Sequence, residues 1–209
     1  MSNNLPKVSI IIPYKEDRGW LDDALKSVYT QTYQGKIEVI IAKSNNSVSF
    51  NLNDGIKRAT GDYIKYLCED DLLTPNSITD SINCMGDYDF INGKAKKFFQ
   101  DGRVVLFTPP ILKPNLEQLA QVNTINGGTL MYRKSVFDKV GFFDESLDCA
   151  EEYEFNLRCL SFGLRLGYCD NILYRYRRHN TQKSLGMGVD QKIRILKIEA
   201  IQNKYKVLL

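Results

Sequence analysis

The sequence holds a single histidine, His179, and no CxxC pair among its five cysteines (68, 84, 149, 159 and 169). A zinc cage built on several histidines or on paired cysteines is thereby excluded. The odd number and scattered spacing of the cysteines predict small buried thiols of a reducing cytoplasm rather than a disulfide set. No apolar run approaches the roughly 18 residues that a membrane-spanning helix needs. The opening residues, Met1-Ser2-Asn3-Asn4-Leu5-Pro6, lack the charged and apolar parts of an export signal. A net charge of +3 is too small to argue for a nucleic-acid partner. What remains, 43% hydrophobic and 25% charged over 209 residues, is the composition of a soluble globular chain with one sizeable domain.

The first third alternates strand and helix signals. Val8-Ser9-Ile10-Ile11-Ile12-Pro13 is a β-branched run closed by proline, the pattern of a strand buried on both faces. Leu21, Ala24, Leu25 and Val28 keep helical spacing and predict a helix over about residues 19–31. Residues 37–42 are a second buried strand, 43–49 a polar loop, 50–59 a helix despite Gly55, and 63–67 a third strand. Short links between these elements predict a right-handed βαβ series and a parallel sheet. The second half changes character. Residues 88–92 read as a short strand, and 94–100 with 103–107 as a hairpin around Asp101-Gly102. A helix follows over 115–121, a strand over 129–132 after Gly127-Gly128, a short helix over 134–140, and an amphipathic helix over 151–160. Residues 165–169 and 172–176 read as two strands. From about Asp190, Ile195, Ile198, Ile201, Tyr205 and Leu208 mark a packing helix.

Two acidic groups carry the chemistry. Glu69-Asp70-Asp71 follows the strand run Tyr63-Ile64-Lys65-Tyr66-Leu67, and Thr74-Pro75-Asn76 then breaks the chain and starts a helix. Three carboxylates therefore stand at the carboxyl end of a strand, where ligands of open α/β sheets collect. Charges packed so closely repel, and Mg²⁺ or Mn²⁺ relieves the repulsion while sharing its remaining sites with phosphates. The plain alternative is a solvated acidic turn. Glu151-Glu152 opens a helix, where negative charge is favoured by the backbone dipoles whatever else it does. Glu154 and Arg158 are spaced as a helix-surface ion pair.

Taken in order, several motifs resemble the inverting family 2 glycosyltransferases of GT-A fold. They are the first strand with Pro13, Leu25 to Tyr33, Ala59-Thr60-Gly61-Asp62-Tyr63-Ile64, Glu69-Asp70-Asp71 with Pro75, Val140 to Glu145, Glu151-Glu152-Tyr153-Glu154, and Tyr174 to His179. The match spans about residues 7–184. It implies one α/β domain with a Rossmann-like, mostly parallel central sheet, flanking helices and a small antiparallel part in the second half. Residues 1–87 would form the nucleotide-sugar half, 88–185 the acceptor and catalytic half, and 186–209 a C-terminal helix. It also implies a nucleoside-diphosphate sugar donor, by family habit a UDP-sugar. A glycan or other hydroxyl acceptor, a divalent cation and a cytoplasmic setting compatible with peripheral membrane association complete the expectation.

The resemblance also implies roles. Asp71 and Asp70 hold the cation beside the departing diphosphate, and Glu69, where the family more often has Asp, lies nearer the ribose. Glu152 is the general base and Glu151 its neighbour in the acidic pair. Pro13, Tyr14 and Glu16 line the base-binding loop, where Tyr14 either stacks on the base or packs in the core. The family's base-reading acidic pair is replaced by Lys43 and Ser44. Asn53 and Gly55 match an Asn-x-Gly, with Asn53 bonding locally on the donor side. His179 is either a structural residue or a further cation ligand, and Arg177 or Arg178 neutralises the phosphates. Asn126-Gly127-Gly128 resembles the turn under the acceptor, and Trp20 reads as a packing residue. Two other readings compete: a catalytically silent nucleotide-sugar-binding protein, and a nucleotidyltransferase, which would want a glycine-rich basic loop that Pro13-Tyr14-Lys15-Glu16 does not provide.

Overall fold

The computed structural model describes residues 5–16, 18–147, 149–180, 182 and 191–206. Val8–Tyr14 (β1) is buried along its whole length, as its β-branched run requires. Leu21–Tyr29 (α1) crosses over to Ile37–Lys43 (β2), and Val48–Arg58 (α2) to Tyr63–Tyr66 (β3). Both β2 and β3 pair parallel to β1, one on each side. The Ser47 hydroxyl caps α2 by accepting from the Phe50 amide. Gly55 is tolerated inside α2 because that face lies flat on β1, where a side chain would run into Ile11.

The remaining elements are Leu72–Leu73 (β4), Ser77–Met85 (α3), Phe90–Phe99 (β5), Val104–Phe107 (β6) and Leu116–Gln121 (α4). A 3₁₀ turn at Gly127–Thr129, Met131–Arg133 (β7), Ser135–Val140 (α5), Glu151–Ser161 (α6), Leu166–Arg178 (β8) and Gln191–Lys206 (α7) follow. The sheet runs β2-β1-β3-β7-β5-β8-β4, with β6 hairpinned onto β5. Strand β7 is antiparallel to both β3 and β5 and so joins the parallel β2-β1-β3 half to the parallel β5-β8 pair. One apolar cluster lies between the sheet and α2, α4, α5, α6 and α7, and a second between the sheet and α1 and α3.

Several expected breaks are bulges instead. The segments read as 88–92 and 94–100 are one strand, β5, and those read as 165–169 and 172–176 are one strand, β8. Gly93 pairs with Cys169 and Lys94 with Ile172, so Asp170 and Asn171 loop out without ending the ladder. Polar residues at a bulge read as a turn when only the sequence is in view. The short β4 also escaped notice: two leucines after an acidic turn carry no strand signal, yet they pair with Tyr174 and Arg175.

Two further expectations are corrected. Cys84 on α3 and Cys169 on β8 form a disulfide, Cα–Cα 5.4 Å, between residues 85 apart in sequence, so the cysteines are not all separate thiols. A pairing made only by the fold has no spacing signature. In α7, Ile201 and Tyr205 are buried as expected, but Ile195 is 53% exposed. Leu208 lies outside the described residues.

Candidate active site

The acidic turn after β3 is folded inward rather than solvated. Antiparallel pairing of β4 with β8 lays the turn against the carboxyl end of β8, which carries Tyr174, Arg177 and then His179. Asp71 is 1% exposed. Its Oδ1 accepts from the Arg177 amide at 2.7 Å and its Oδ2 from the Tyr174 hydroxyl at 2.9 Å. Burial, and then the Asp70 charge, push the Asp71 carboxyl well above its ordinary range. Asp70 Oδ2 meets His179 Nε2 at 2.9 Å, and the Asp70 carbonyl accepts from Arg177 Nε at 2.8 Å. Arg177 Nη2 reaches on to Asp23 at 3.0 Å. Of the two candidate arginines, Arg177 is the one that enters the cluster; Arg178 lies over the Tyr176 ring.

Asp70, Asp71 and the Cys68 thiol each offer a donor atom within 4.8 Å of the others, and His179 adds an imidazole on Asp70. The two carboxylates suit a small divalent cation such as Mg²⁺ or Mn²⁺, the thiol suits it less, and His179 meets the set through Asp70.

Glu152 stands across the turn at Gly127–Thr129. Ala150 precedes it with φ 60°, a left-handed conformation that is uncommon for a residue with a side chain. That strained residue sets the direction of the first turn of α6. Burial, and then Glu151, push Glu152 up to about 7, with Arg194 pulling the other way. A side chain at Gly127 would come within 2.8 Å of Glu152 Oε1, and one at Gly128 would strike the Tyr174 ring. The paired glycines thus let backbone lie between Glu152 and the Tyr174–Asp71 pair. Asn126 shapes the turn by accepting from the Gly128 amide at 3.1 Å.

On the donor side, Pro13 and Tyr14 are buried at the end of β1, whereas Glu16 is exposed on the following loop. Lys43 Nζ lies 5.1 Å from the Tyr14 ring centroid. Ser44 donates its amide to the Tyr14 carbonyl at 3.2 Å and bonds the Asn51 side chain. Asn51 Nδ2 donates to the carbonyls of Tyr14 and Ser44, both at 3.3 Å, which ties the ends of β1 and β2 together. Asn53 departs from expectation. Its amide bonds Phe143 in both directions at 2.9 Å and Glu145 at 2.8 Å, partners about 90 residues away. That pairing locks α2 to the loop before α6, so the bonds of Asn53 are not local. Glu154, read as half of a surface ion pair, is 2% exposed. It meets Arg158 at 2.9 Å, Tyr205 at 2.6 Å and Lys204 at 3.2 Å and so fastens α7 to α6.

Four participants escaped the sequence reading. Arg18 grips Glu69 through Nε at 2.8 Å. Trp20, read as packing, touches His179 with ring centroids 4.3 Å apart and lies between Arg18 and Arg177. Tyr174 holds Asp71. Lys65 is fully buried within β3 and donates to the carbonyls of Gly128, Thr129 and Leu130 at 3.2–3.3 Å. Burial pulls Lys65 down to about 7. The one legible signal was Lys65 itself, a charge inside an apolar run.

No protein-family model matches the chain. An "uncharacterized glycosyltransferase" of Rickettsia felis is 26% identical over 218 residues, covering 86% of this chain and 35% of that protein. Another of Rickettsia typhi is 27% identical over 210 residues, covering 85% of this chain and 65% of that protein. The chain therefore spans between about a third and two thirds of the length of these curated relatives. Among solved structures, residues 1–349 of S. aureus TarS in complex with UDP-GlcNAc superpose with a TM-score of 0.67 at 14% identity. That superposition covers 84% of this chain and 60% of that one.

Proposed function

We propose that this chain, which belongs to the glycosyltransferases and has their GT-A fold, moves a sugar from a nucleoside-diphosphate sugar to a hydroxyl acceptor with inversion at the anomeric carbon. The observation that carries the reading is the pair of carboxylate groups on opposite flanks of the turn at Gly127–Thr129. On one flank Asp70 and Asp71 bring carboxylate oxygens within 4.8 Å of each other; on the other is Glu152, which burial and Glu151 push up to about 7.

Asp71, Asp70 and His179 would hold Mn²⁺ or Mg²⁺, which supplies positive charge beside the leaving diphosphate. Arg177 adds a fixed positive charge on the same side. Glu152 takes the proton of the acceptor hydroxyl as the acceptor oxygen bonds to the anomeric carbon. The bond from that carbon to the diphosphate oxygen breaks, and the diphosphate leaves with the electron pair. A base near 7 is well matched to this task, because enough is ionised at neutral pH while its affinity for the proton stays high. The donor is proposed to be a UDP-sugar, in keeping with the UDP-GlcNAc complex of TarS. The acceptor is proposed to be a glycan, met in the cytoplasm or at its membrane surface. No helix among the described residues is long and apolar enough to cross a membrane.

Thermal melts of the chain with a panel of nucleoside diphosphates, with and without Mn²⁺, test the reading. A ligand that binds the native state raises the melting temperature by mass action. UDP should give the largest shift, and only with the cation present. A panel in which no diphosphate shifts the transition under either condition sinks the proposal.

A further inference from the structure

Arg18 has no part in the mechanism just described, yet it reaches two of the three carboxylates of the acidic turn. Its Nε and Nη2 both grip Glu69, and Nη2 stands 3.4 Å from Asp70 Oδ2. That Asp70 oxygen is the same one that meets His179. Arg18 is 29% exposed at its side chain and the two carboxylates 11% and 13%, so water screens the contact poorly. Gly19, at φ +79°, and the Trp20 ring 5.4 Å beneath the guanidinium brace the loop that presents it. Arg18 thus supplies positive charge to carboxylates that otherwise repel one another.

We infer that Arg18 is a built-in counter-ion of this cluster, which a divalent cation must displace from Asp70 in order to bind. The inference rests on the cation site proposed above. A guanidinium and a divalent ion within bonding range of one carboxylate oxygen repel each other, and the repulsion is strong where screening is weak. Arg18 therefore keeps the cluster paired while no cation is present and lowers its affinity for the bare ion. Its role is to position and tune the site; it does not touch the reacting atoms.

The test is Mn²⁺ binding by the whole chain in the absence of nucleotide, read from the electron paramagnetic resonance signal of free Mn²⁺. Arg18→Met should bind Mn²⁺ about tenfold more tightly than the unaltered chain, the scale of a lost charge-assisted contact. Arg18→Lys keeps the charge but loses the two-toothed grip, and should show a smaller gain of the same sign. Asp71→Asn should lose the binding. If Arg18→Met binds Mn²⁺ no more tightly while Asp71→Asn still loses it, the cation site stands and this inference falls. If Asp71→Asn binds as the unaltered chain does, or no form binds at all, both fall. Where Arg18→Met does not fold, Arg18→Lys decides: a gain supports the inference and its absence overturns it.

Discussion

The two acidic groups of this protein are made of the same chemistry and are kept in opposite conditions. Around Asp70 and Asp71, the carboxylate oxygens face Arg18, His179, the Arg177 amide and the Tyr174 hydroxyl. Burial, and then the Asp70 charge, still leave Asp71 with a raised carboxyl. Glu152 faces a glycine turn and its own neighbour Glu151, and there the missing charge is a proton. On the proposed reading, one cluster would hold a cation that stays, and the other would accept a proton that arrives and departs. The difference lies in the donors that surround each group, not in the carboxylates.

The sharpest way to break this contrast is Glu152→Gln. Turnover should fall by about 10²–10⁴-fold, the usual range for loss of a general base, with donor affinity nearly unchanged. Glu151→Gln should cost less. Steady-state rates beside calorimetric UDP binding separate the two effects; if Glu151→Gln is the inactive variant instead, the base is one residue earlier.

Asp71→Asn comes next. Mn²⁺-dependent UDP binding should weaken by about 100-fold, the scale of losing a charged ligand held in a buried site. Calorimetry with and without chelator measures it. An unchanged affinity in the variant would detach the acidic turn from donor binding.

The contrast also has a pH signature. Glu152 takes up a proton near 7 when folded, against an ordinary 4.5, so the folded state binds that proton more tightly. Its contribution to stability is complete below about 4.5 and is lost as pH rises through about 7. Glu152→Gln removes the loss: at pH 8 it should be more stable than the unaltered chain by about 1–2 kcal/mol, and at pH 4 no more stable. Activity should run the other way, with kcat/KM of the unaltered chain rising to a plateau above about pH 7. Melting curves at the two pH values give the first answer, and the same offset at both would remove burial as the cause.

The smallest effect is expected at Lys43. The side chain is exposed over the Tyr14 ring, and such contacts contribute about 0.5–1 kcal/mol, so Lys43→Ala should change UDP affinity by about fivefold at most. A hundredfold loss would make Lys43 the reader of the base.

Much of this was legible before the fold was known. The parallel β1, β2 and β3 follow from their β-forming runs, although β2, read as buried, is the edge strand with Ile41 39% exposed, and the acidic turn could be assigned to a strand end because Thr74-Pro75 closes it. Legibility failed where the partner is distant in sequence. Asn53 looked like a local bonding residue because nothing near it hints at Phe143 or Glu145. The disulfide of Cys84 with Cys169 is invisible for the same reason. Arg18 carries no signal in sequence, because an arginine in a loop is ordinary until the fold brings Glu69 and Asp70 to it. Strand breaks failed differently: Asp170 and Asn171 have the composition of a turn, and only the ladder on either side shows a bulge.

Lys65 has a consequence for how this chain can vary. Its side-chain nitrogen serves three successive carbonyls of the segment 128–130. An apolar residue there would leave those carbonyls without their donor in a dry interior, so the strand and the turn cannot drift independently. Among homologues, position 65 and the segment 126–130 should change together or not at all: lineages that trade the lysine for a hydrophobic residue should carry a rebuilt turn. Lys65 thus holds in place the turn whose glycines lie beside Glu152.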